Sequence, residues 1–431
     1  MQSYTLNRPD GALLCRVLEQ HTNDAAGAIL RLAWMAGLMR DEIQHLTWAQ
    51  VDLLGEQLLL PDRAVPLAPE LAAWLEALRR ERNGSSERVV LSDRDQQPLE
   101  AQSISGDLLT NIFAGGTVDT EWCFLTGYSQ YEEFRNDVDS YVWYFDRQGY
   151  QTRGGHPGFG WFYNRQNVNQ FLGFQEYWFT ENHYGELVDP VEAQWNSDLL
   201  LVDEIVKDLR SCLDGEGRPV FSFSVSYQNH GPYEWTYTAN ETYLDPKTSG
   251  LPEESCYVFN NYLHGVNITI SAMTLLAQQL EEMEEPVVLV LFGDHKPWGG
   301  NSNDAYYGIG ASFDTTTLEG FYQYYSTPYL IWANSAAKET LGRDFQGEGG
   351  DFSPCFLMPE LFEQCGWTGP SFLQLAQEVR EVTPLVHQQG VYLTEDGQLT
   401  DHLSGEAADR LNEFFFAQYY REHKVVPEGA G

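Results

Sequence analysis

The chain is short of basic residues: 25 Lys and Arg stand against 63 Asp and Glu in 431 residues, a formal charge of −38. A surface so acidic repels a phosphate backbone, so non-specific nucleic-acid binding is excluded as a function class and no nucleic-acid partner is expected. The deficit is uneven. Residues 1–105 hold 10 Arg, no Lys and 15 acids, which leaves 15 basic and 48 acidic residues for the rest. Long apolar runs are missing too, so no membrane span is expected. The start, MQSYTLNRPDG, has neither the basic opening nor the apolar stretch of a signal peptide. As given, the chain reads as soluble and cytoplasmic. Its six cysteines are scattered and form no CxxC pair, which excludes a zinc knuckle. The thiols are expected to be free, with a Cys355–Cys365 bridge left open. No internal repeat and no low-complexity linker is visible.

What is present is ample core material, 42% hydrophobic and 14% aromatic, over a length that fits two or three domains. The chain changes character near residue 105. Before it, DAAGAILRLAWMAGLMRDEIQHL has helical apolar spacing interrupted at Gly37. LLGEQLLLPDRAVPL predicts a short hairpin turning at Gly55, and APELAAWLEALRRER an amphipathic helix with Pro69 just inside its start. After residue 105 aromatic runs alternate with glycine-rich loops and apolar strands such as PVVLVLFGDH. Apolar strands separated by helical stretches predict a largely parallel α/β sheet buried on both faces. The expected division is 1–105, mainly helical; 106–387, the α/β catalytic domain; and 388–431, a hairpin followed by a capped terminal helix.

Four stretches after residue 105 carry chemistry. FAGGTVDTEW places Thr117 after two glycines, either as a helix N-cap or as a nucleophile held at a metal. PVVLVLFGDHKPW ends a strand on Asp294 and His295, oxygen and nitrogen donors suited to manganese or zinc at the carboxyl edge of a sheet. VFSFSVSYQNHGPY ends another strand on His230, which can bind an anion or protonate a leaving group. RGGHPGFGWFYNRQNV sets His156 and Arg165 around aromatics. There the guanidinium fork suits phosphate, and Tyr163 offers a wall for a glycerol or sugar group.

AILRLAWMAGLMRDEIQHLTWAQVDL and RAVPLAPELAAWLEAL resemble the start of a tyrosine recombinase catalytic domain, over roughly residues 5–105. Met39 stands where that family has its first catalytic arginine, Arg40 falls one place late, and the hairpin lysine is absent. Recombination chemistry is therefore not expected of the segment. From about Gly106 to His387 the four stretches, in this order, resemble the sulfatase-like domain of lipoteichoic acid synthases and related phosphoglycerol transferases, in the alkaline phosphatase superfamily. That resemblance implies a mostly parallel sheet flanked by helices. It implies Thr117 as nucleophile and metal ligand, and Asp294 and His295 as further ligands. It also implies His230, Arg165, His156 and Tyr163 as substrate contacts. The implied cofactor is a divalent metal, Mn2+ first, with Mg2+ or Zn2+ as alternatives. The implied substrates are a phosphatidylglycerol-like lipid and a polyglycerolphosphate chain, and family members are membrane-anchored with an extracellular catalytic domain. Asp119 and Glu121 are expected to support the helix rather than bind metal. The family's first strand, ending in an acidic ligand, has no clear counterpart; the nearest imitation is ERVVLSD with Asp93. The alternative reading is a catalytically impaired remnant that only binds anionic glycerophosphates.

Overall fold

The computed structural model describes residues 25–38, 40–61, 63–82, 88–91, 103–130, 134–187, 198–215, 217–236, 243–244, 247 and 249–425. The chain forms two compact units, one of Met1–Ala101 with Tyr243–Gly250 and one of Gln102–Thr242 with Leu251–Gly431.

In the first unit, α1 (Ala25–Ala36) stops where Gly37 takes a positive φ of 64°, and α2 (Arg40–His45) follows. The meander β1 (Val51–Asp52), β2 (Gln57–Leu59) and β3 (Ala64–Pro66) is antiparallel, and α3 (Pro69–Arg82) closes the segment. Leu32, Leu58, Leu71 and Leu75 are buried together in its core. Gly55 lies in the β1–β2 turn, where Asp52 Oδ1 accepts its amide at 2.8 Å.

The second unit is α/β. Its elements begin with β4 (Ile104–Leu109), α4 (Val118–Thr126), α5 (Tyr141–Arg147), β5 (Gln151–Gly155), α6 (Arg165–Phe171) and β6 (Glu176–Trp178). They continue with α7 (Asp198–Gly215), β7 (Val220–Ser224), α8 (Glu253–Glu281), β8 (Val288–Phe292), α9 (Leu318–Tyr325), β9 (Ser326–Ala333), α10 (Ser335–Leu341) and β10 (Gly347–Glu348). Then come α11 (Leu357–Cys365), α12 (Ser371–Val382), the hairpin strands β11 (Val386–His387), β12 (Val391–Leu393) and β13 (Leu399–Thr400), and α13 (Gly405–Lys424).

Two sheets carry the site, in the orders β10-β4-β9-β8 and β6-β5-β7. The second is wholly parallel, with Gln151 opposite Val220. In the first, β9 runs antiparallel to both β4 and β8, so it alone is inverted. The largely parallel arrangement expected holds for the second sheet and for β10, β4 and β8 in the first, with β9 as the exception. Among the described residues β8 pairs only with β9, and β7 only with β5. The Val-Leu-Val-Leu-Phe run of β8, expected to be buried on both faces, is accordingly only half-buried at every position.

The core gathers Trp122, Tyr141, Phe356, Phe362 and Phe414, so α13 contributes to it. Arg421 of α13 is buried as well. It donates to Asp139 Oδ2 and to the Thr126 carbonyl, both at 2.8 Å, with its guanidinium 4.1 Å over the Phe372 ring. Ser404 makes no side-chain capping bond at the start of that helix, in contrast to the expected cap. The described cysteines, Cys123, Cys212, Cys256, Cys355 and Cys365, are buried free thiols.

Asn334 ties three elements together. Its amide nitrogen donates to the Leu280 and Glu285 carbonyls at 3.1 and 2.9 Å, and its oxygen accepts from Val287 and Ala337 at 2.9 Å each. Asn334→Ala leaves these groups unpaired, so a loss of about 2–4 kcal/mol in denaturant unfolding is expected.

Candidate active site

The turn before α4 is built for close approach. Ala114, Gly115 and Gly116 take positive φ of 61°, 149° and 91°, a run that only glycine adopts without strain at its second and third positions. The Ala114 amide donates to the Lys296 carbonyl at 2.9 Å, pinning the turn to the end of β8. Thr117 makes no side-chain capping bond. Its Oγ1 lies instead 3.4 Å from His295 Nε2. The next turn of the helix is fastened too, since Thr120 Oγ1 donates to the Asp294 carbonyl at 2.6 Å.

His295 Nδ1 sits 2.8 Å from the Lys296 carbonyl, which can only accept, so Nδ1 carries the hydrogen and Nε2 keeps its lone pair. Nε2 faces Asp294 Oδ2 at 3.2 Å. Two lone-pair atoms and a hydroxyl turned towards one another suit a shared cation, and in that respect the donor set fits a divalent metal. Among the described residues no group of three or more His, Cys, Asp and Glu is placed to hold a metal ion. The candidate ligands are thus two side chains and the Thr117 hydroxyl. Asp93 lies outside the described residues.

Lys296 was not singled out by sequence, yet it organises this corner. Its carbonyl takes both the Ala114 amide and the His295 ring, while its ammonium donates to Ser326 Oγ at 2.9 Å and to the Ser326 and Tyr322 carbonyls. Burial lowers its pKa to about 8, with the Asp107 charge opposing. The available signal was its position, immediately after the Gly-Asp-His end of β8.

The other candidates lie below and beside a second rim. Arg165, first residue of α6, is 2% exposed. It is clamped to Glu121, Nη2 donating to Oε1 at 2.7 Å and Nη1 to Oε2 at 3.3 Å. Its Nε is buried and has no hydrogen-bond partner among the described residues. Burial pushes the Glu121 carboxyl up to about 7; Arg165 opposes this and the Asp294 charge adds to it. His156, just past β5, is 4% exposed, with Nδ1 3.1 Å from the Val225 carbonyl. Tyr227 stands between it and His230, its ring centroid 5.2 Å from His156 and 5.5 Å from His230. His230 is exposed on the turn after β7, and Tyr163 is exposed with the Arg165 guanidinium 5.4 Å from its ring centre. Thr117, Asp294 and His295 are in direct contact. Of the other four, Arg165 lies beside Tyr163, and His156 and His230 both flank Tyr227.

Burial first, then Arg165 and His230, depress the His156 pKa from 6.5 to about 3. A histidine with a lowered folded-state pKa adds stability above its unfolded value and loses it as pH falls. Acid unfolding should therefore steepen from about pH 6.5 downward by up to about 1.4 kcal/mol per pH unit from this group. His156→Gln should flatten that part of the profile of unfolding midpoint against pH.

The sulfatase family description matches residues 93–366. Among curated proteins, the chain is 29% identical over 295 residues to a putative cyclic beta-1,2-glucan modification protein of Rhizobium meliloti (strain 1021), covering 64% of this chain and 43% of that protein. It is 24% identical over 322 residues to the capsular polysaccharide biosynthesis protein RkpI of the same organism, covering 68% and 54%. The chain thus spans about half the length of the curated relatives it matches. Among solved structures it is similar to the Streptococcus pyogenes phosphoglycerol transferase GacH in complex with sn-glycerol-1-phosphate, with TM-score 0.52 and 17% identity over 76% of this chain and 78% of that one. It is also similar to the lipoteichoic acid synthase LtaP of Listeria monocytogenes, with TM-score 0.52 and 15% identity over 76% and 86%. At these identities the likeness establishes the shared α/β fold. No described helix is long and apolar enough to cross a membrane.

Proposed function

The chain belongs to the sulfatase family, and from that premise we propose that it is a metal-dependent phosphoglycerol transferase or phosphodiesterase acting on glycerophospholipid head groups. The observation that carries this reading is the Thr117 hydroxyl, uncommitted to its helix and 3.4 Å from His295 Nε2 beside Asp294. Thr117, Asp294 and His295 would hold the metal, Mn2+ before Mg2+ or Zn2+. Once bound, that ion lowers the pKa of the threonine hydroxyl and screens charge on the phosphoryl oxygens.

Thr117 Oγ1, its proton passed to solvent, would form a bond to phosphorus as the bond to the diacylglycerol oxygen breaks. His230, on the exposed turn, donates the proton that the leaving oxygen needs. Arg165 fixes the substrate loop from below and offsets negative charge, while Tyr163 walls the glycerol. An acceptor hydroxyl or water then takes the glycerophosphoryl group from Thr117. A polyglycerolphosphate chain is one acceptor. A glycan hydroxyl is supported by the curated relatives, a glucan modification protein and a capsular polysaccharide biosynthesis protein. Manganese-dependent release of diacylglycerol from a phosphatidylglycerol analogue, lost on chelation and in Thr117→Ala, is the test.

A second reading, an impaired remnant that only binds glycerophosphates, draws support from the small set of candidate ligands and from the half-buried, singly paired β8. It requires no turnover at any manganese concentration, together with glycerophosphate binding that Arg165→Ala weakens.

A further inference from the structure

The loop between β5 and α6 exposes aromatic surface. Phe159, Trp161, Phe162 and Tyr163 are 47%, 61%, 41% and 37% exposed, four large rings within five residues. Solvent-exposed aromatic patches of this kind mark contact surfaces. The rings form a continuous series: Phe159 stacks on Trp161 at 5.8 Å and 26°, Trp161 meets Phe162 edge-on at 5.8 Å, and Phe162 meets Tyr163 at 4.5 Å.

The backbone beneath them is fixed. Phe162 donates to the Phe159 carbonyl at 3.1 Å, Asn164 to the Trp161 carbonyl at 3.0 Å, and Gln166 to the Gly160 carbonyl at 2.9 Å. The Glu181 carboxylate takes the Gly160 amide at 3.0 and 3.2 Å. At the end of the loop Arg165 is buried and clamped to Glu121. Rings held this way lose little conformational freedom when a ligand arrives.

We propose that this ledge docks the pyranose rings of a neutral glycan, beyond the single wall at Tyr163, and so receives the acceptor; as an acceptor subsite it rests on the transferase reading given above. The C–H face of a β-linked sugar carries partial positive charge and matches the negative face of an aromatic ring. The polar groups around the rings suit hydroxyls: Asn164, Gln166, Asn167 and Glu181 are exposed, and Asn167 donates to Asn164 at 2.6 Å. A lipid surface is the less suitable partner. Aromatics that seat on anionic membranes are accompanied by Lys and Arg, whereas this rim is amide and acid on a chain of charge −38.

The test is a titration with a β-linked glucose hexasaccharide, read by tryptophan fluorescence and by calorimetry. Saturable binding is expected. Trp161→Ala should weaken it at least about tenfold. Phe416→Ala, which removes a ring 76% exposed on α13, should leave it unchanged. Thr117→Ala should bind the sugar as the parent does, since docking needs no turnover. The proposal is overturned by absence of saturation, or by equal affinity in Trp161→Ala. It is also overturned if Trp161→Ala leaves sugar binding intact while abolishing co-sedimentation with phosphatidylglycerol vesicles. Failure of the ledge leaves release of diacylglycerol to water intact; failure of the transferase reading leaves sugar binding intact with no release at all.

Discussion

Replacing Thr117 with alanine is expected to lower manganese-dependent turnover of a phosphatidylglycerol analogue by about a thousandfold or more, because on the proposed mechanism it deletes the atom that attacks phosphorus. The size of the effect can be separated from any loss of fold. Thr117 makes no side-chain capping bond, and the run of positive φ before it belongs to Ala114, Gly115 and Gly116. Removing the hydroxyl should therefore cost less than about 0.5 kcal/mol in unfolding, within the range of a site without such a role. Thr117→Ser keeps the oxygen and loses only the methyl group, so it should retain a measurable rate. The combination of near-normal stability, a silent alanine variant and a slow serine variant is expected of a hydroxyl that attacks phosphorus and helps hold the metal. Turnover in Thr117→Ala within tenfold of the parent would mean that water attacks directly, and the covalent route would have to be abandoned.

The parts of this site that could be read in the sequence are those fixed by short-range chemistry. Two glycines before Thr117 indicate backbone angles closed to other residues, and the turn has those angles. A strand ending in Asp294 and His295 places both at a sheet edge, and both are there. Features set by partners far away in the chain were not legible. Nothing near Arg165 shows that Glu121 will bury it, and nothing near Lys296 shows that its carbonyl will hold both the Ala114 amide and the His295 ring. The direction of β9 was hidden for a similar reason. Its apolar alternation suits either orientation. β8 is the opposite case: its composition correctly suggests a strand meant for burial, and its half-buried state reflects which neighbours it has.

Breaking the pair between Glu121 and Arg165 should have the largest effect on stability of any change near the site. Glu121 is 4% exposed and Arg165 2%, so Glu121→Ala leaves a guanidinium in the interior without its carboxylate. A loss of about 3–5 kcal/mol is expected, mostly the cost of the stranded charge rather than the worth of the pair. The double variant Glu121→Leu with Arg165→Met removes both charges and should recover most of that loss, a non-additivity that a double-mutant cycle measures directly. Additive effects would mean the two side chains do not act as a unit.

pH gives an independent check with a definite sign. Burial raises the Glu121 pKa from 4.5 to about 7 despite Arg165, so the folded state binds its proton more tightly than the unfolded chain does. Its contribution to stability is therefore fully present below about pH 4.5 and is lost as pH rises through about 7, opposite in direction to that of His156. Glu121→Gln cannot titrate and should remove the loss between pH 4.5 and 7 while leaving the acid limb of His156 in place. A profile in which both limbs persist in Glu121→Gln would assign the neutral-pH limb to another group.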